Sequence, residues 1–444
     1  MSAPRLLGRP LQVVAARRRV PGVNRPELRA VPGRPLVVTP FVATTGRPPM
    51  RPARQYPFRE PTALELEPEY AHLRAHEPVS RISLPYGGEA WLVVRYEDVR
   101  VVLGDPRFSR AALLDRDVPR TSPRRLTDPT LHTTDPPEHN RLRRLVSGAF
   151  SPRRLERLAA HASRVTEELL DRVEEQGPPA DLVAGLAVPL PVSVICHLLG
   201  VPLVDRDRFA SWVDIALATT AFPAAEIHAA FAALKDYLAS LVALRRREPA
   251  DDLLGALVVA RDQDGGLSEE ELVVLGVTLL YAGLETTSNH IGNFVHTLLS
   301  HPAQLARLRA DPALLDSAVD ELLRLTPTVT SAGFTRIALE DIPLGDIMIH
   351  AGDAVMVHLD AANRDPRAYP HPDELDLTRK PNPHLAFGHG PHYCVAAQLA
   401  KAELRIALEA LLRRFPTLHP AEPATPHWRQ GRMVRGLDRL LVTW

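Results

Sequence analysis

The chain has 444 residues, of which 45% are hydrophobic, so it is long enough to bury a large core. Its 53 basic and 53 acidic residues give a formal net charge of zero, which argues against nucleic acid as a partner. Two cysteines exclude a disulfide framework and are typical of a protein from the reducing cytoplasm.

Residues 1–49 differ in composition from the rest of the chain. They contain nine Arg, nine Pro and a single acid, Glu27. Transit peptides and disordered basic arms share this composition, and it would also arise if translation began at Met50. We favour a start at Met50, because every motif described below follows it. If residues 1–49 are translated, we expect them to be a disordered basic extension. Residues 50–444 are expected to form the functional domain.

No membrane-spanning helix is expected. The longest apolar run, Leu272 to Leu284, is shorter than the roughly 20 residues that cross a bilayer.

The first chemically suggestive stretch is Thr134 to Phe150, TDPPEHNRLRRLVSGAF. Its two prolines predict the start of a helix. His139 and Arg143 are four residues apart and so share one face of that helix. Taken alone, this face is best interpreted as an exposed basic surface.

A long buried helix is predicted from Ser268 to about Ser300. Ser268 and Glu271 form a capping-box pattern at its start. Near its middle the sequence reads AGLETT, from Ala282 to Thr287. The hydroxyl of Thr286 is placed to bond the carbonyl four residues earlier, so we expect a break or a water-filled groove there. The alternative is a buried helix with a chance polar patch.

Two further patterns lie closer to the C-terminus. Glu321 and Arg324 are three residues apart on a predicted helix, a spacing that surface ion pairs commonly have. Cys394 lies in a glycine-rich loop before a helix predicted from Val395 to Leu412. A helix N-terminus lowers the pKa of a thiol, so Cys394 is predicted to be a thiolate, either a nucleophile or a metal ligand. The alternative is a small buried apolar residue.

The pattern Phe-Gly-x-Gly-x-His-x-Cys, from Phe387 to Cys394, resembles the haem-ligand loop of the cytochrome P-450 family, the haem-thiolate monooxygenases. The stretch AGLET resembles that family's oxygen-activation motif, and Glu321 to Arg324 matches its E-x-x-R. The resemblance runs from about Tyr56 to Trp444. It implies the cytochrome P-450 fold, which is mainly α with a smaller β-rich part.

The resemblance also implies residue roles. Cys394 would be the ligand of the iron of haem b, and Glu285 and Thr286 would relay protons to bound oxygen. The remaining haem-contacting positions would be His139, Arg143, Ala282, Gly283, Arg336, Phe387, Gly388, His392 and Ala396, of which His139, Arg143, Arg336 and His392 would meet the propionates. Glu321, Arg324 and Arg379 would form a structural ion-pair network. The family usually has glycine where this chain has Ala396, and we expect a small adjustment of the helix there.

The implied reaction inserts one oxygen atom from O2 into a small organic molecule, by hydroxylation or epoxidation, in secondary metabolism. The sequence carries no flavin or iron–sulfur motif, so electrons from NAD(P)H would arrive through a reductase and a ferredoxin-like donor. Arg141 and Arg144 are candidates for the surface that docks this donor. We expect a cytoplasmic monomer with no membrane contact.

The sequence also leaves three alternative functions open. The same haem chemistry would also give oxidative coupling, ring formation or desaturation. A non-catalytic haem-binding relative is conceivable because of Ala396. A hydrolase with a cysteine nucleophile is remote, because the pattern places no base beside the thiol.

Overall fold

The structure, a computed structural model, describes residues 52–59, 63–264, 266–329, 333–421 and 426–444. The chain divides into two units, Met1–Met50 and Arg51–Trp444. The first unit, and with it the prediction made for residues 1–49, lies outside the described residues.

Helices make up most of the described part of the chain, as predicted. The α-helices are α1 Pro68–His76, α2 Tyr96–Gly104, α3 Glu138–Ser147, α4 Pro152–Gln176, α5 Pro189–Leu199, α6 Arg206–Ala216, α7 Ala224–Arg247, α8 Leu253–Asp264, α9 Glu269–Leu299, α10 Pro302–Ala310, α11 Leu315–Leu325, α12 Leu359–Ala362 and α13 Ala397–Arg414.

The strands are short and come from both the early and the late parts of the chain. They are β1 Arg54–Gln55, β2 Val79–Ser83, β3 Glu89–Val93, β4 Phe108–Ser109, β5 Ala180–Asp181, β6 Arg336–Ala338, β7 Ile342–Leu344, β8 Ile347–Ile349, β9 Ala354–Val357, β10 His419–Pro420, β11 His427–Trp428, β12 Leu437–Arg439 and β13 Leu441–Thr443.

The largest sheet joins strands that are far apart in sequence. Its order is β1-β2-β3-β9-β6-β4, and β9 runs parallel to β3 and antiparallel to β6. A second sheet has the order β10-β13-β5, and β7-β8 and β11-β12 form two-stranded hairpins. The loop of the β11-β12 hairpin consists of residues 429–436.

Helix α9 runs through the centre of the helical core and packs against α5, α7, α8 and α13. Ser268 and Glu271 form the predicted capping box, because each side chain accepts the other's backbone N–H. Most of the helix is buried. Of the two predicted alternatives near Thr286, a break in the helix does not occur, because α9 is continuous there.

One described helix, α7, is long and apolar enough to cross a membrane by length and composition. Its buried side chains, among them Ile227, Leu234 and Leu238, lie on the side that packs against α6, α8 and α9. It ends in three arginines, Arg245 to Arg247. This is the arrangement of a core helix in a globular protein, so its length and apolar composition are weak evidence for a membrane span.

Candidate active site

The cysteine loop is shaped by two glycines. Gly388 and Gly390 have φ angles of 75° and 71°, a region that L side chains rarely adopt. A Cβ on Gly390 would lie 2.6 Å from the carbonyl oxygen of Leu103, so the loop can approach the end of α2 only with glycine. The backbone N–H of Cys394 donates to the carbonyl of Phe387 at 2.9 Å and closes the loop.

The sulfur of Cys394 is partly buried at the entrance to α13. Burial raises the pKa of the thiol, while the N–H of Ala396 and the charge of Arg143 lower it by less. The N–H of Ala396 at the start of α13 lowers this pKa, as predicted, but burial outweighs it, so in the protein chain alone the pKa of the thiol is raised. A bound metal ion would supply the missing positive charge, since coordination deprotonates a thiol.

Ala396 needs no special conformation. It is the residue before α13, with φ −98° and ψ 13°, which alanine adopts without strain. The replacement of the usual glycine therefore leaves the start of the helix undistorted.

Arg143 stabilises the cysteine loop from α3. Its Nη1 donates to the carbonyls of Pro391 at 3.1 Å and Tyr393 at 2.7 Å. Arg141 on the same helix contacts Glu138 and Glu271 of α9, and its role in docking stays a prediction. Arg144 remains exposed.

A cluster of basic side chains lies on the other side of the loop, and we call it the basic cluster: Arg110, His132, His139, Arg336 and His392. The rings of His139 and His392 are 4.3 Å apart between centroids. Arg110 and Arg336 are only 4% and 3% exposed. The nearest acid, Asp135, bonds Ser109 and the backbone N–H of residues 110 and 111, and leaves the Arg110 guanidinium free.

The cluster has more positive charge than its surroundings can balance. In the described part of the chain, Nε and Nη2 of Arg110 have no hydrogen-bond partner. Burial lowers the pKa of Arg336 to about 10. Burial and the neighbouring charges of Arg110, His139 and Arg336 lower the pKa of His392 to about 2. Buried, unpaired donors of this kind require an anion, and the two propionates of a haem beside Cys394 fit that requirement.

Arg110 is the residue that sequence reasoning missed. It is buried against the ring of Phe334, 4.8 Å from the ring centroid. The one feature that indicates the burial of Arg110 is its position directly after β4, whose two residues are buried.

No group of three or more His, Cys, Asp or Glu that could hold a metal ion occurs among the described residues. A metal at Cys394 would therefore have to come with its own additional ligands, as the iron of a porphyrin does.

Two of the predicted residues of α9 make local contacts. The Thr286 hydroxyl donates to the Ala282 carbonyl at 2.8 Å, as the sequence predicted. Gly283 faces α5, where a Cβ would lie 3.0 Å from Ile195 Cδ1. Its missing side chain therefore allows α5 and α9 to approach each other.

Glu285 is buried and held by a residue from the far end of the chain. Arg429 Nη1 donates to its Oε1 at 2.9 Å, and the Asn289 amide donates to the same oxygen at 3.1 Å. Burial raises the pKa of Glu285, opposed by the Asn289 hydrogen bond and the charge of Arg432. Arg429 and Arg432 also contact Asp214 of α6.

A cavity of about 210 Å³ lies against this carboxylate. Its lining includes Glu285, Ser288 and Asn289 of α9, together with Asp214 and Arg429. Apolar residues, among them Val183, Val188 and Leu437, complete the lining, and the space is large enough for several water molecules beside the polar groups.

The predicted structural ion pair is fully buried. Arg324 Nη2 donates to Glu321 Oε1 at 2.8 Å, and both side chains are 0% exposed. Arg379 Nε donates to the same oxygen at 3.1 Å. Arg324 also bonds the carbonyls of Asn363 and Pro372, and so connects α11 to the chain that leads into the cysteine loop.

Comparison with known proteins gives a consistent result. A sequence model described as Cytochrome P450 matches residues 74–434. The chain is 49% identical to nocardicin C N-oxygenase from Nocardia uniformis subsp. tsuyamanensis, over 88% of this chain and 98% of that protein. It is 47% identical to mycinamicin IV hydroxylase/epoxidase from Micromonospora griseorubida, with the same coverage. The crystal structure of the LnmA cytochrome P450 hydroxylase, from the leinamycin biosynthetic pathway of Streptomyces atroolivaceus S-140, is 50% identical. It superposes with a TM-score of 0.82 and covers 88% of this chain and 100% of that one.

Proposed function

This chain belongs to the cytochrome P450 family and is a haem-dependent monooxygenase of secondary metabolism, and from that premise we propose how its own residues serve the reaction. It inserts one oxygen atom from O2 into a small organic molecule, by hydroxylation or epoxidation.

We propose that Cys394 is the iron ligand and that the basic cluster binds the haem propionates. Haem bound in this way activates dioxygen, which is the chemistry that the group supplies. The observation that carries the assignment is the glycine-shaped loop, which approaches the end of α2 and leads into α13. The sulfur of Cys394 is partly buried there, and Arg143 donates to two backbone carbonyls of the loop. Phe387, Gly388 and Ala396 are the loop positions that we expect to contact the porphyrin.

Glu285 and Thr286 are proposed to move protons towards the oxygen-binding side of the site. Glu285 is buried, its pKa is raised, and it borders a cavity whose lining is partly polar, so it can hold a proton and exchange it with water there. Thr286 follows it on α9 and has a hydroxyl that is already oriented by the Ala282 carbonyl.

The family uses a redox partner, and we propose a ferredoxin-like donor with an NAD(P)H-dependent reductase, because the sequence carries no flavin or iron–sulfur motif. Arg141 and the exposed Arg144 on α3 are the residues that we propose for the docking surface. A cytoplasmic location is proposed on the cysteine usage and on the burial of one side of α7. We also propose that the protein acts as a monomer.

Residues 50–444 are proposed to be sufficient for function, since the family match falls entirely within them. A chain that starts at Met50 should bind as much haem as the full chain, and loss of haem on truncation would contradict the proposal.

The experiment that tests the function is turnover under isotopically labelled O2, with a surrogate ferredoxin and reductase, over a set of small natural products. A product that carries one labelled oxygen atom is expected, and Cys394→Ala should yield none. A protein that binds haem but gives no product with any donor would favour the non-catalytic alternative. Products of coupling or desaturation, which lack the label, would favour the other haem outcomes.

A further inference from the structure

A second cavity, of about 130 Å³, lies beside the loop that follows β4. Four arginines contribute to its lining: Arg116, Arg120, Arg124 and Arg125. The rest of the lining is mostly apolar and includes Phe334 and Met356. We call this space the arginine-lined cavity.

Two of the four arginines share one acid on the same loop. Arg120 Nη1 lies 2.5 Å from Asp117 Oδ1, and Arg125 Nε lies 3.9 Å from the same oxygen. Asp117 carries a single negative charge, so it offsets one of these two positive charges and leaves the other.

The other two arginines have no such partner. Within the described ranges, neither Arg116 nor Arg124 has a carboxylate at ion-pair distance. The acid that acts most on Arg124, Asp128, is 3.5 Å from Lys235. The guanidinium of Arg124 lies over the ring of Phe231 in α7, 4.1 Å from the ring centroid. Burial lowers its pKa, which is the cost of keeping this cation away from water.

A cation that is partly buried beside an apolar cavity destabilises the protein unless an anion joins it there. Arginine is the side chain best suited to a carboxylate, because its planar fork donates two parallel hydrogen bonds. The apolar part of the lining would at the same time bury an apolar molecular body. The cavity thus combines the two features that recognise an amphipathic acid.

The cavity also adjoins the haem-binding residues without sharing their cations. Phe334 lines it, and the same ring lies against Arg110 and His132 of the basic cluster. An acid group held at Arg124 would therefore fix one end of a molecule whose remainder extends towards the site of oxygen insertion.

We propose that the substrate of this monooxygenase is an organic acid, and that Arg124, assisted by Arg116, binds its carboxylate in the arginine-lined cavity. This inference deepens the proposed function and rests on it.

The test uses the full chain loaded with haem and two probes of equal chain length, decanoate and 1-decanol. Dissociation constants are measured by calorimetry and by the shift of the Soret band. Decanoate should bind on the order of 10-fold more tightly than 1-decanol, because only the acid can form a charge-assisted hydrogen bond. In Arg124→Gln the affinity for decanoate should fall by about that factor, while the affinity for 1-decanol should stay within about twofold.

Arg164→Gln is the matched control, because it removes the same charge from an exposed position on α4, where Arg164 pairs with Glu168. It should leave both affinities unchanged. If Arg124→Gln does not fold, the exposed Arg116→Gln and the charge-conserving Arg124→Lys replace it. Arg116→Gln should lower the affinity for decanoate alone, by about threefold. Arg124→Lys should still bind decanoate more tightly than 1-decanol.

Equal affinity of the wild-type protein for acid and alcohol would overturn the inference, and so would an equal loss of both in Arg124→Gln. Either result leaves the monooxygenase assignment intact, which the haem spectrum tests separately.

Discussion

Arg429 binds Glu285 through a contact of 2.9 Å between Nη1 and Oε1, although the two residues lie 144 positions apart in the sequence. Arg429 also contacts Asp214 of α6, so helices α6 and α9 and the β11-β12 hairpin meet at one charge network. This network holds the carboxylate that we propose as a proton donor, and the first prediction concerns it.

Replacing Arg429 with Gln should raise the pKa of Glu285 further, because a cation that favours the ionised form is lost. We expect unchanged haem content and a pH profile of turnover displaced to higher pH. The profile is measured as product formed per minute against pH. Arg439→Gln, an exposed change in the same hairpin, should leave the profile in place. An undisplaced profile in Arg429→Gln would remove Glu285 from the relay.

Thr286→Ala should consume oxygen without forming a matching amount of product, because the hydroxyl that orders proton delivery is missing. Thr286→Ser retains the hydroxyl and should restore most of the coupling. The measurement is the ratio of product to oxygen consumed. Full coupling in the alanine variant would show that the hydroxyl has no part in proton transfer.

Arg110→Leu should stabilise the haem-free protein but weaken the binding of haem. Without haem, loss of a buried cation with unpaired donors should raise the free energy of unfolding by about 1–3 kcal/mol. With haem, loss of a propionate partner should speed haem release, which transfer to apomyoglobin measures. Arg107→Gln is the control, since Arg107 is partly exposed and already paired with Asp105. Slower or unchanged haem release would contradict the assignment of the basic cluster.

Glu321→Gln should destabilise the protein by about 3–5 kcal/mol, since it leaves the buried guanidinium of Arg324 without its charge partner. Denaturant unfolding measures this loss. Glu409→Gln breaks an exposed pair with Arg405 on α13 and should cost less than about 1 kcal/mol. Similar losses for the two variants would mean that the buried pair contributes no more than a surface pair.

The buried carboxyl of Glu403 should make the free energy of unfolding depend on pH. Its carboxyl lies buried in α13, and burial raises its pKa from 4.5 to about 8. Between these two values the folded protein binds more protons than the unfolded chain, so the free energy of unfolding falls as the pH rises. Glu403→Gln cannot ionise and should be more stable than the wild type by about 1–3 kcal/mol at pH 8.5. The advantage should shrink as the pH falls towards 4.5.

The exposed Glu409→Gln serves as the control in the same titration and should show no such trend. A constant difference between Glu403→Gln and the wild type at all pH values would indicate that Glu403 is already paired and ionised in the folded protein.

Local patterns explain which features the sequence could predict. The capping box of Ser268 and Glu271 and the ion pair of Glu321 and Arg324 depend on residues three positions apart, and the structure forms both. The cysteine loop was recognisable because its glycines are required by backbone shape, which leaves a mark in the sequence. The helical core followed from the apolar periodicity of α9.

Features that depend on distant partners could not be predicted. The burial of Arg110 depends on Phe334, and the contact of Glu285 depends on a hairpin at the C-terminus. The net direction of the Cys394 pKa was misjudged because burial, a tertiary property, outweighs the N–H of Ala396 at the helix N-terminus. The ion pair of Arg141 with Glu271 could not be predicted either, because Glu271 lies on another helix.

The central claim is that the Cys394 thiolate holds the iron of a haem. Its most direct test is the carbon monoxide difference spectrum of the reduced, haem-loaded protein. We predict a Soret band at the position of a thiolate-ligated haem, and its complete loss in Cys394→Ala. A protein that takes up no haem, or a thiolate band that persists in Cys394→Ala, would contradict the account.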